Sequence, residues 1–283
     1  MSSQDQETRQ GGTIILTGAN GSVGLAAAEH LLKSYPQYHF VFTVRDAADT
    51  DPNTRKLRDL ISNYPHAKSK ASVHQVDLAD LSAVHEFALA ISSSVATGRY
   101  PRIRSIICNA AYRDLIHDSE LTVDGYDKTI QVSFVAHVAL VLRLLDSLAE
   151  GGRVVLFSSN PRLRSITVVA INPGGIGDSR VFTTRTPRFV QLMQTFVLVP
   201  LMPLIRLADP TFRTSAEAAI DVIELAVGDA HSGERGYFTM LLKDDSDPVT
   251  MEKEIQDIVW RMSLEWAKVM KDDTGLQGGM EPF

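Results

Sequence analysis

Three spaced glycines stand in Thr17-Gly18-Ala19-Asn20-Gly21-Ser22-Val23-Gly24, after a short apolar run, Thr13 to Leu16. A helical pattern from Val23 to Lys33 follows, with Leu25, Ala28, Leu31 and Leu32 on one stripe. Missing β-carbons let a backbone approach phosphate groups. A helix N-terminus adds free N–H groups and the positive end of the helix dipole. In this strand–loop–helix context the spacing fits a dinucleotide pyrophosphate. A helix start that merely tolerates glycine is the weaker alternative. The next apolar run, Phe40 to Val44, ends against Arg45. NAD binders place an acid there, roughly twenty residues past the loop, for the ribose 2′-hydroxyl. An arginine suits a 2′-phosphate, so the pattern points to NADP(H). A solvated loop arginine is the alternative for Arg45, and Asp46 beside it leaves NAD open.

The elements that must position this loop follow from the apolar pattern. Further strands are expected at Ser72 to Val76, Ser105 to Cys108, Val154 to Phe157 and Ile166 to Ile171, with a last one at Tyr237 to Leu242. Between them lie helical stripes. One is Leu81, Val84, Ala88 and Ile91. A long buried one is Val132, Val135, Ala139, Leu142 and Leu145. Thr214 with Glu217 reads as a capping box for a helix with Ala216, Ile220, Ile223 and Val227 inward, closed by Gly228. Met251, Ile255, Ile258, Met262 and Trp266 form a terminal stripe, most simply core. Strands alternating with helices imply an α/β fold: a single Rossmann-type, doubly wound parallel sheet covered on both faces. One domain over 11–283 is expected, behind a flexible N-terminus at 1–10.

The chain has 283 residues, 44% hydrophobic and 22% charged, with a net charge of −6. No basic stripe is present, which argues against a nucleic-acid partner. The single cysteine, Cys108, excludes an internal disulfide and fits a reducing compartment. Met1 to Gln10 is polar and has no signal-peptide core, so a cytoplasmic location is expected. The longest apolar stretch, Phe189 to Leu207, is interrupted by Gln191, Gln194, Pro200, Pro203 and Arg206 and does not read as a transmembrane helix.

On these motifs the chain resembles the short-chain dehydrogenase/reductase family, from Thr13 to about Phe238, and within it the retinol-dehydrogenase-like and fungal reductase branches. Thr17 to Gly24 is similar to the family's glycine motif, with the middle glycine one place early. Asp77-Leu78 resembles the acidic pair that approaches the adenine. Cys108-Asn109-Ala110-Ala111 resembles the motif after strand four. Asn172-Pro173-Gly174 resembles the motif beside the nicotinamide. Gly152 to Ser159 resembles the strand that delivers the catalytic serine, which makes Ser159 the candidate. The resemblance implies that Thr17, Gly18, Asn20, Gly21, Val23, Gly24, Arg45, Asp77, Leu78, Asn109, Ala110, Pro173, Gly174 and Ile176 bind the cofactor. It also implies a substrate lid over 176–213. Ser133 and Asp178 depart from the family's asparagine and threonine.

A larger departure follows strand five. The family carries Tyr-x-x-x-Lys on the next helix, where the tyrosine is the general acid and the lysine lowers its pKa. Here only Ser158 to Ser165 separates strands five and six. Adjacent parallel strands need a crossover of about a dozen residues or more. Eight extended residues reach about 28 Å, with nothing left to form a covering helix. The crossover is therefore missing or replaced, and one sheet face is bare or covered by something else. The only Tyr-x-x-x-Lys, Tyr64 to Lys68, precedes strand three, contains Pro65 and reads as a chance match. A shortened gene product, an omitted segment, or a scaffold that has lost reductase chemistry each account for this. The abrupt join at Asn160-Pro161 favours the first two.

No HExxH or close His/Cys cluster is present, so no metal is expected. His137 on the long helix reads as a packed histidine rather than a ligand. Tyr112, Arg113, Asp114 and His117 would flank the substrate cleft, or form an exposed polar loop. Thr195 to Ile205 is almost wholly apolar and lies in the lid, which favours a small lipophilic substrate. A homodimer contact or a membrane-surface segment are the alternatives for it. The expected function is NADP(H)-dependent oxidoreduction of a lipophilic ketone or alcohol. The alternatives are a cofactor-binding regulator or subunit without redox activity, and a non-redox cyclase or isomerase.

Overall fold

Strand residues alternate between two faces, and each face meets its own helices. The computed structural model describes residues 11–117, 119–156, 167–229, 231–244, 252–270 and 273–275. The strands are β1 (Thr13–Leu16), β2 (His39–Val44), β3 (Ala71–Gln75), β4 (Ile103–Cys108), β5 (Leu148–Leu156) and β6 (Thr167–Asn172), with a short β7 (Gly175–Ile176) and β8 (Phe212–Arg213) and a final β9 (Gly236–Thr239) and β10 (Leu242–Asp244). The helices are α1 (Ser22–Ser34), α2 (Pro52–Ser62), α3 (Leu81–Ala96), α4 over 128–143, α5 (Arg188–Ala208), α6 (Ser215–Val227) and α7 (Lys253–Trp266). Both α4 and α5 contain a π turn, at Gln131–Val135 and Gln194–Leu198.

The main sheet has the order β10-β9-β6-β5-β4-β1-β2-β3 and is parallel except for β10. Strand order reverses between β1 and β4, the switch point of a doubly wound sheet, and ligand sites form there at the strand C-termini. Ile14, Leu16, Phe40, Phe42, Ile107 and Val155 pack on one face with α1 and α6. Ile15, Val41, Ile106, Val154 and Val168 pack on the other with α3 and α4.

That second face is the one whose crossover helix the sequence lacks. Strands β5 and β6 are directly paired, Val154 against Val168 and Val155 against Val169. Part of the cover there comes from the end of the chain: Trp260, Leu264, Trp266, Ala267 and Val269 join the core beside α4. Arg143 ties this end in place by donating to the carbonyls of Ala267 (3.2 Å) and Lys268 (2.8 Å).

Four details differ from the sequence expectations. In α6, Ile220 is 47% exposed and Ala216 is also exposed, and the inward residues are Ala218, Ala219, Val222, Ile223 and Ala226. The helix packs beside α1 and on strands β4 and β5, so its buried arc is broad and turned by one residue from the expected stripe. In α7, Ile258 and Met262 are exposed, because the helix meets the core through Trp260, Ser263 and Leu264. Met251 of that stripe lies outside the described residues. The single last strand is a hairpin, broken at Met240, whose φ is 58°. Finally, the interruptions in the apolar stretch do not break it. Gln191 and Gln194 face inward and bond to backbone carbonyls, and the prolines stand on the exposed side. By length and composition α5, with 21 residues, is long and apolar enough to cross a membrane. Phe189, Phe196 and Leu207 are each more than 70% exposed.

Candidate active site

The loop after β1 is organised by one hydroxyl. Thr17 is fully buried, and its Oγ1 accepts the N–H groups of Asn109 and Ala110, each at 3.0 Å. With both lone pairs used, its hydrogen is free to donate, and the closest acceptor is Nε2 of His137 at 2.9 Å. His137 then carries its proton on Nδ1, facing the Ser133 carbonyl at 3.3 Å. Burial pushes the His137 pKa down to about 4, so the ring is neutral. Asn109 completes the clamp, its amide donating to the carbonyls of Thr17 (2.9 Å) and Gly18 (3.2 Å). Sequence reasoning read His137 as packing. It is packed, and it also locks the loop.

Gly18 has φ +63°, and a β-carbon on it would sit 2.9 Å from the Ala110 Cα. A β-carbon on Gly24 would sit 2.1 Å from the Gly18 carbonyl oxygen. Both positions exclude a side chain, so the loop packs tightly against α1. The first intrahelical bond of α1 runs from Leu25 N–H to Gly21 O at 2.9 Å, which leaves the N–H groups of Ser22, Val23 and Gly24 ahead of it. The loop therefore fits a pyrophosphate. Asn20 donates to the Thr54 hydroxyl at 3.0 Å, and Thr54 donates to the Asp46 carbonyl at 2.7 Å. This joins the glycine loop to the turn after β2. Arg45 is exposed there, and among the described residues it forms no ion pair. The Asp46 carboxylate is turned into its own loop by the Ala48 N–H at 2.8 Å.

Asp77 is exposed just past β3 and accepts from Ala79 N–H at 2.9 Å. The Leu78 side chain is buried in the core, and its carbonyl accepts from the Gln131 amide at 3.4 Å. Past β6, Asn172 accepts from Gly174 N–H at 3.1 Å, and Ile176 pairs with Arg213 in the small β7–β8 sheet. Pro173 is half-buried beside them. Ser159 and the join at 158–165 lie outside the described residues.

Two departures from the family pattern have structural roles. Asp178 accepts from the backbone N–H and the hydroxyl of Ser215, both at 2.7 Å, and so anchors the start of α6. Ser133 accepts from Tyr112 N–H at 3.3 Å inside the π turn of α4. Tyr112 opens a polar cluster. Its ring lies 5.0 Å from Lys128 Nζ and 5.1 Å from Arg185 Cζ. Its oxygen accepts from Arg185 and donates to Glu120 at 3.3 Å. Asp114 accepts from Ile116 N–H (2.9 Å), from the His117 imidazole Nδ1 (3.0 Å) and from His117 N–H (3.1 Å), which hold its carboxyl well below the usual range. A cavity of about 180 Å³ lies among Tyr112, Asp114, His117 and Glu120. A larger one, about 500 Å³, sits by Arg102, Arg143 and Ser147 at the opposite edge of the sheet, away from the glycine loop. Tyr64 and Lys68 also lie at that opposite edge, ahead of β3, which agrees with a chance match.

The family profile described as short chain dehydrogenase matches residues 12–170, more than half of the chain. The chain belongs to the short chain dehydrogenase family. Residues 180–276 match a second profile, the AcuH dehydrogenase domain. Among curated relatives of this chain, the short-chain dehydrogenase iccH of Talaromyces variabilis is 26% identical, covering 95% of this chain and 99% of that one. The dehydrogenase acuH of Aspergillus aculeatus is 42% identical over 94 residues, 33% of this chain and 96% of that one. A short chain dehydrogenase from Burkholderia cenocepacia J2315, solved in complex with NADP, shares the fold with a TM-score of 0.57 and 19% identity, covering 81% of this chain and 95% of that one. The iccH alignment runs over 369 positions and this chain has 283 residues, so at least 86 positions of that relative face gaps here.

Arg180 was missed by sequence reasoning. Its N–H donates to the Ser22 hydroxyl at 2.9 Å and its guanidinium to the Asn20 carbonyl. No local pattern signalled it, since 158 residues of chain separate it from Ser22.

Proposed function

We propose that the chain is an NADP(H)-dependent oxidoreductase acting on a small lipophilic ketone or alcohol. The observation that carries this reading is the glycine loop locked by Thr17, Asn109 and His137 at the switch point of the sheet. The first-turn N–H groups of α1 take the pyrophosphate. Arg45, exposed at the end of β2, takes the 2′-phosphate, and the engaged Asp46 carboxylate leaves that position to a phosphate. The bound nicotinamide supplies or accepts the hydride. Ser159, by family resemblance, hydrogen-bonds the reacting oxygen. The segment 176–213 acts as the substrate lid, and the apolar composition of α5 supports a lipophilic substrate.

A second reading is favoured by a specific observation. The sequence has no Tyr-x-x-x-Lys at the expected place, and at least 86 positions of the iccH relative have no counterpart in it. In that reading this form binds the dinucleotide without turning it over. Following NADPH absorbance with a panel of aliphatic and aromatic ketones separates the two. The first predicts substrate-dependent NADPH loss that Ser159→Ala reduces by about 100-fold or more. Saturable NADPH binding without any oxidation would sink it in favour of the second.

A further inference from the structure

Residues 177–187 lead from β7 into α5 and are pinned at both ends. The Gln194 amide donates to the carbonyls of Gly177 (3.0 Å) and Ser179 (2.9 Å), and Asp178 holds Ser215. At the far end Leu115 N–H donates to the Arg185 carbonyl at 3.0 Å, and Gln191 donates to the Thr186 carbonyl at 2.8 Å. Between these pins Arg180 crosses to the glycine loop. Its backbone N–H meets the Ser22 hydroxyl at 2.9 Å, and its guanidinium meets the Asn20 carbonyl. A β-carbon at Gly21 would lie 3.8 Å from its Nη2, so the cation stands over the glycine at the helix start.

Arg180 is half-buried. A cation partly withdrawn from water costs free energy unless an anion meets it. Its guanidinium bonds to a neutral carbonyl, and among the described residues the Asp51 carboxylate attracts it only from beyond ion-pair distance. A guanidinium has five N–H donors in a planar fork, so donors remain after the Asn20 bond. They lie where the first-turn N–H groups of α1 also converge.

We propose that Arg180 is a phosphate clamp: its remaining N–H groups bind a phosphate of the dinucleotide, which couples cofactor binding to the position of the 177–187 segment at the base of the lid. This rests on the dinucleotide-binding reading above. Two phosphates are in question, the pyrophosphate common to NADPH and NADH and the 2′-phosphate of NADPH alone.

The test is calorimetric titration of NADPH and NADH into the wild-type chain, Arg180→Gln and Arg180→Lys. Arg180→Gln removes the charge and leaves a shorter amide donor. Arg188→Gln, an exposed arginine of the same region, is the control. Arg180→Gln is expected to weaken binding by about ten- to 100-fold, with Arg180→Lys between it and wild type. Equal loss for both dinucleotides assigns the clamp to the pyrophosphate, and loss for NADPH alone assigns it to the 2′-phosphate. Chymotrypsin cleavage near Phe182 is the second readout: NADPH protects the wild-type segment, and that protection is lost in Arg180→Gln. Thermal melts without ligand establish that each variant is folded, and Arg180→Lys carries the comparison if Arg180→Gln does not fold. Wild-type affinity and wild-type protection in the folded variants would overturn the clamp and leave dinucleotide binding standing. Absence of binding in the wild type itself would overturn both.

Discussion

A hydroxyl with two lone pairs and one hydrogen can make three hydrogen bonds, and Thr17 uses all three. The arrangement requires a neutral His137, because a protonated Nε2 would face the Thr17 hydrogen with no acceptor. His137 has a pKa of about 4 when folded and an ordinary value near 6.5 when unfolded. The unfolded chain therefore binds the extra proton between these values. The resulting stability is complete above pH 6.5 and is lost as pH falls toward 4, by about 1.4 kcal/mol per pH unit. Chemical denaturation of the wild type and His137→Gln at pH 7, 6, 5 and 4 checks this. The variant is expected to be less stable at pH 7 and to show a shallower decline over that window. Equal slopes would count against the neutral-histidine lock. The glycines were legible in the sequence because their spacing is local, and Asn109 through the resemblance of Cys108 to Ala111 to a family motif. His137 and Arg180 were not, because their partners lie 120 and 158–160 residues away.

Elements were legible where burial has a clear period. The central strands β1, β2, β4 and β6 are buried on both faces and read as short apolar runs, and the capping box at Thr214 and Glu217 is present on both sides. Thr214→Ala is expected to cost about 1 kcal/mol, read as a lower melting temperature with little change in the cooperativity of unfolding. A loss of several kcal/mol would mean that the residue holds more than the helix end. The inward faces of α6 and α7 were harder to read, because apolar residues also occupy their exposed sides, Ile220 in one and Ile258 and Met262 in the other. The continuity of α5 was obscured by polar residues whose bonds are to the 177–187 segment rather than to water. Gln194 is 4% exposed and serves the Gly177 and Ser179 carbonyls.

At the scale of the molecule, the doubly wound sheet was legible from the alternation of strands and helices, and so was the shortness of the connection between β5 and β6. What covers that face was not, since the contribution of Trp260, Leu264 and Val269 comes from the far end of the chain. The strand C-termini gather the glycine loop, the turn after β2, the Tyr112 cluster and the 177–187 segment into one edge, as a dinucleotide site requires. The most direct measurement is a fluorescence titration of NADPH and NADH against the wild-type chain beside Gly24→Ala, whose added carbon would meet the Gly18 carbonyl at 2.1 Å. Saturable binding to the wild type is expected, about tenfold or more tighter for NADPH than for NADH. In Gly24→Ala binding is expected to be weakened by about 100-fold or lost, with the fold retained. No saturable binding of either dinucleotide to the folded wild type, or unchanged affinity in Gly24→Ala, would contradict a dinucleotide site at this loop.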